Sequence, residues 1–103
     1  MKTDRELLEL AAKAAGLGVK WEQAHSCFWI EMGQGLPINH WNPLADDGDA
    51  FRLMVRLSLF GSAEVERHRT IAHICECCLD GAAVYRRAIV RASAAIQEAK
   101  EAN

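Results

Sequence analysis

Between Asn39 and Arg56 the chain reads NHWNPLADDGDAFRLMVR, and this stretch limits the fold more than any other. Pro43 disfavours α backbone at Asn42, so the chain is expected to enter the segment extended. Asp46 and Asp47 then offer oxygens to the first unpaired N–H groups of a helix, where acids also meet the positive end of its dipole. Beyond them Phe51, Leu53, Met54, Val55, Leu57 and Leu59 leave Arg52 and Arg56 as the main polar stripe. A helix from about Asp47 to Ser58 is therefore expected to be buried almost all round and to form the centre of the core. Asp46, Asp47 and Asp49 around Gly48 have the composition of a calcium loop but not its register of alternating acids, a Gly at six and a Glu at twelve. Capping, with Asp49 paired to Arg52 at i, i+3, accounts for them instead.

The totals set the frame for that core. A chain of 103 residues, 50% hydrophobic and 25% charged, has room for a single domain, residues 1–103, with a true core and no need of metal or disulfide staples. A net charge of -2 and a pI near 6.1 argue against a dedicated polyanion binder. No apolar run reaches the roughly 18 residues of a membrane span, and the N-terminus has no signal-like apolar region. The expectation is a cytosolic protein whose four Cys stay reduced.

The first helix has both ends marked. Thr3 and Glu6 form a capping-box pair, Leu7, Leu10, Ala11 and Ala14 make one apolar face, and Gly16 suits a left-handed close with Leu17 folding back. Gly18 to Gln23 and Cys27 to Met32 read as a strand pair, the second carrying large side chains on both faces. Residues 33–45, with Gly33, Gly35, Pro37 and Pro43, read as a long irregular loop, and such loops often carry function. Residues 63–79 admit two readings, a hairpin of alternating residues or a helix through Ile71, Ile74, Cys75, Cys78 and Leu79. A last helix follows Asp80-Gly81, with Tyr85, Ile89, Ala92 and Ile96 inward, Arg87, Arg91 and Glu98 outward, and residues 98–103 frayed.

Two blocks carry a family resemblance. The run WNPLADDGDAFRLMVRLSL, followed by YRRAIVRASAAI, resembles small bacteriophage and prophage proteins of the phage ABA-sandwich domain family. Those proteins show a Trp-Asn/Asp-Pro-Leu-x-Asp-Asp-x-Asp-Ala block before one helix and an Arg-Arg-Ala-Ile-Val-Arg-Ala block in a last helix. The likeness covers residues 5–97 loosely and residues 41–57 and 85–96 well. It implies an α/β fold (α+β by stricter usage) of phage origin and carries no general activity. It also favours the hairpin over residues 63–79, and hence the order α-β-β-α-β-β-α around a mainly antiparallel sheet.

Three groups of residues are candidates for chemistry. His73, Cys75, Cys77 and Cys78, with His25, Cys27 and His68 upstream, are the right types for zinc, but lack the Cys-x2-Cys spacing of a strong site. Buried free Cys behaves as a small hydrophobe, so no metal or cofactor is expected there, and no nucleophile–base–orienter set can be assembled for catalysis. Arg52, Arg56, Arg67, Arg69, Arg86, Arg87 and Arg91 make the C-terminal half richer in cations, suiting weak contact with phosphates or an acidic protein surface. Acids lie among them, and ordinary solvated faces are the simpler account. Of Trp21, Trp29 and Trp41, Trp29 is the first choice for the core. Trp41 either staples the loop to the second helix or, exposed, anchors a partner.

The expectation is a non-enzymatic phage accessory protein that binds a host or phage macromolecule, such as an inhibitor of a bacterial defence like CRISPR. Its binding residues are expected among Trp41, Arg52, Arg56, Arg86, Arg87 and Arg91. The alternatives are a zinc- or thiol-dependent protein using His73 to Cys78 and a weak nucleic-acid binder. An open sheet edge pairing with its copy would give a homodimer.

Overall fold

The computed structural model describes residues 2–24, 27–31, 38–59, 63–75 and 81–102. Within them lie α1 (Asp4–Ala15), β1 (Val19–Glu22), β2 (Cys27–Glu31), β3 (Ile38–Trp41), α2 (Asp47–Arg56), α3 (Ala63–Cys75) and α4 (Gly81–Ala102). Four helices and a three-stranded antiparallel sheet in the order β1-β2-β3 make a mixed α/β domain.

α1 forms as its end signals dictate. The Thr3 side chain accepts from the Glu6 N–H while the Glu6 carboxylate accepts from the Thr3 N–H. At the other end Gly16 takes φ 72°, and Leu17 N–H reaches the Ala12 carbonyl at 2.9 Å. α2 closes on the same hydrogen-bond pattern without a glycine. Ser58 sits at φ 54°, its N–H bonds to Val55, and Leu59 N–H bonds to Met54 at 2.9 Å. Leu59 is buried there, so packing holds a serine in a conformation that glycine would enter with less strain.

Two segments differ from the sequence reading. Residues 63–75 form a helix, not the first part of a hairpin; residues 76–80 lie outside the described residues. Ala, Glu and Arg are good helix formers, and Glu64–Arg67 and Glu66–Arg69 pair at 2.7 and 2.8 Å, a spacing a helix surface brings together. The second difference is β3, a strand inside the stretch read as loop. It pairs with β2 through Phe28↔Trp41 and Trp29↔His40. INHW is short, half polar and bounded in sequence by Pro37 and Pro43, so it lacks the alternation that marks a strand.

The core is centred on α4, not on α2. α4 packs against α1, α2 and α3, and Val84, Ala88, Ile89, Val90, Ala92, Ser93 and Ala94 are all buried. Small side chains let neighbouring helices approach closely, and the buried Ser93 hydroxyl donates to the Ile89 carbonyl at 2.7 Å. Tyr85, expected inward, is 43% exposed, and α4 continues to Ala102 with Glu98 paired to Lys2 at 2.9 Å. In α2 only Ala50 and Leu53 are buried, while Phe51 and Val55 face outward. The apolar positions of α2 thus exceed what its one packed face can cover.

The sheet presents two unlike faces. Phe28, Ile30 and Trp41 are buried with the helices' apolar side chains, and Trp21 packs edge-on to Phe28 at 4.9 Å. The alternate residues Lys20, Glu22, Cys27, Trp29 and His40 lie on the other face, exposed or half-buried.

Candidate functional site

The segment from Trp41 to Arg52 is wound up by its own polar groups. Asn42 accepts from Leu44 N–H with its side chain, at 3.1 Å, and from Ala45 and Asp46 N–H with its carbonyl. Pro43 is fully buried. Asp46 caps α2 by accepting from Asp49 N–H at 2.7 Å. The Asp49 carboxylate accepts from Asn42 N–H at 3.0 Å and from the Arg52 guanidinium at 2.7 Å. The acids therefore serve the turn and the helix start, as capping required.

Beside this turn runs a groove of about 1120 Å³ between the end of α1, the sheet and the outward face of α2. Leu17, His40, Trp41, Phe51, Val55 and Arg56 are among its lining residues. Phe51 is 55% and Val55 48% exposed, one helical turn apart on the same ridge. Arg52 stands next to them with its side chain 63% exposed.

Of the residues expected to bind, Trp41, Arg52 and Arg56 meet at this groove, and Arg86, Arg87 and Arg91 do not. Trp41 is 4% exposed and belongs to the core, so it shapes the floor of the groove and offers a partner almost no surface. Trp29, the first choice for the core, is only half-buried. Arg56 donates to the Ala15 carbonyl and ties α2 to the end of α1. Arg86 donates to the Leu44 carbonyl at 2.9 Å and to Asp47 at 2.6 Å, fastening α4 to the turn before α2. Arg87 grips both carboxylate oxygens of Asp4, at 2.9 and 3.3 Å, and joins α4 to the first turn of α1. Arg91 is half-buried on α4. Arg86 and Arg87 therefore act as struts of the fold.

A second polar cluster joins α3 to α4. Tyr85 donates to Glu66 at 2.5 Å, and Arg69 bonds the same carboxylate while lying over the Tyr85 ring. The Tyr85 hydroxyl, and then Arg69, hold the Glu66 carboxyl below its usual range. His68 on α3 is partly buried, and desolvation together with the Arg67 charge lowers its pKa.

Among the described residues, Glu22, Cys27 and His40 bring their ligand atoms within 4.8 Å of one another. Sequence alone does not bring this set together, because His40 falls in a stretch without strand alternation and Cys27 has His25 as its near neighbour in the chain. His25, Cys77 and Cys78 lie outside the described residues, as do the side chains of His73 and Cys75. No helix among the described residues is long and apolar enough to cross a membrane. Compared with known proteins, the chain matches no family model, no curated protein and no solved structure.

Proposed function

We propose that this chain is a non-enzymatic binding protein that docks a partner protein on the ridge and groove of α2. The observation that carries this reading is the pair Phe51 and Val55, held outward at 55% and 48% exposure beside a groove of about 1120 Å³. Large apolar side chains next to a concavity, with an arginine at the rim, are the kind of anchor that dominates protein interfaces. The partner in this reading inserts an apolar side chain into the groove and sets a carboxylate against Arg52. The two blocks that resemble the phage family support a setting in phage infection, with antagonism of a bacterial defence such as CRISPR as its most concrete form.

The test is plating of a CRISPR-targeted phage on bacteria that express the chain or its Phe51→Ser, Val55→Ser double variant. Rescue of plating by the chain and its loss in the double variant, with both proteins equally folded by circular dichroism, is the expected result. Equal plating with and without the chain would remove the counter-defence reading. A complex captured from infected cells that survives the double change would remove the α2 surface.

A further inference from the structure

The pairing of three strands places Glu22, Cys27 and His40 on one face of the sheet. Cys27 lies on the central strand directly opposite Glu22. His40 pairs with Trp29, two residues along β2, so it stands diagonal to Cys27 on the other side and on the same face. Diagonal neighbours lie within reach of a long side chain, and direct pairs are closer still. We propose that these three residues bind a zinc ion.

The distances and the donor types both favour this assignment. In a tetrahedral zinc site the S, N and O ligand atoms stand about 3.3 to 3.6 Å apart, given the usual zinc–ligand bond lengths. Here they already lie within 4.8 Å, so small side-chain rotations close the set without moving the strands. A thiolate, an imidazole and a carboxylate together select zinc over calcium or magnesium, which take oxygen donors. Glu22 and Cys27 are half-buried and His40 is exposed, so an ion can enter from solvent and still be partly shielded by the sheet.

Trp29 stands directly across from His40, beside the ligand set. Its ring meets the His40 imidazole edge-on at 4.2 Å, which restricts the angle of that imidazole. Three protein ligands leave a fourth position open to solvent. Bound there, zinc joins all three strands.

The experiment is a titration of the reduced, metal-stripped full chain with Co²⁺, followed by Zn²⁺. One Co²⁺ per chain with a thiolate charge-transfer absorption, displaced by Zn²⁺, is expected. Zinc at a hundredfold excess over Kd should raise the Tm by roughly 10 °C or more. Cys27→Ser and His40→Ala should abolish the absorption and the Tm rise, and Glu22→Gln should weaken binding about tenfold or more. A chain with Cys75, Cys77 and Cys78 all changed to Ser should keep every signal; the three single changes serve if the triple fails to fold. Absence of stoichiometric metal, an absorption that survives Cys27→Ser, or its loss in a folded chain lacking only the downstream Cys would overturn the site.

Discussion

The two faces of the small sheet use the same strands for different ends. On the inner face Phe28, Ile30 and Trp41 are packed against helices, and none of the three is ionisable. On the outer face Lys20, Glu22, Cys27, Trp29 and His40 alternate with them, exposed or half-buried, and four of these five can titrate. Alternation along a strand makes the separation sharp, since a shift of register by one residue would exchange the two sets entirely. The difference teaches that stability and chemistry can occupy adjacent positions of the same four or five residues without sharing a side chain.

The comparison is tested most severely at the two tryptophans on β2 and β3. Trp41→Ala should cost about 3–5 kcal/mol, because it empties a closely packed site, and the urea midpoint reads this directly. Trp29→Ala should cost about 1–2 kcal/mol, since its ring keeps part of its water contact and loses chiefly an edge contact with His40. Equal losses at the two positions would mean that the outer face is as much a core as the inner one.

A pH series separates the inner face from the ionisable groups elsewhere. The deficit of Trp41→Ala should be the same at pH 7.5 and 5.5. His68, by contrast, has a folded pKa below its ordinary value of 6.5, through burial first and Arg67 second. Glu64 and Glu98 oppose that shift and Arg91 adds to it. The unfolded chain therefore takes up the proton first. Stability from the neutral imidazole is whole above about pH 6.5 and declines as pH falls through the lower folded value. His68→Gln should flatten that decline in urea midpoints, and an unchanged slope would assign it to other groups. The smallest effect belongs to Cys27→Ser without metal, expected within about 0.5 kcal/mol of the parent by thermal melting.

Local end signals were readable in the sequence, and remote pairings were not. Thr3 with Glu6, Gly16, Asp46 and Asp49 with Arg52 all sit where short-range hydrogen bonding required them. β2 was readable too, because its large residues alternate over five positions. β3 was not, since half of INHW is polar and its strand character comes from pairing with β2. Residues 63–75 carry strand-like alternation and helical spacing at once; they form a helix, whose surface brings Glu64 to Arg67 and Glu66 to Arg69. The apolar content of α2 suggests more burial than it has, because composition does not reveal how many neighbours a helix has; α4, with three packed helices, takes the central place. The Glu22–Cys27–His40 group could not be assembled beforehand, since it needs the register of all three strands.

The joining of α1 to α4 sets an order of events during synthesis. Asp4 and Arg87 are 83 positions apart, and Lys2 and Glu98 are 96, so almost the whole chain must be made before these partners meet. Until then the apolar side of α1, with Leu7, Leu8, Ala11, Ala12 and Ala15, lacks its long-range cover. Closing so large a loop slows folding relative to a bundle of sequential neighbours and leaves that side open to chaperones on the ribosome.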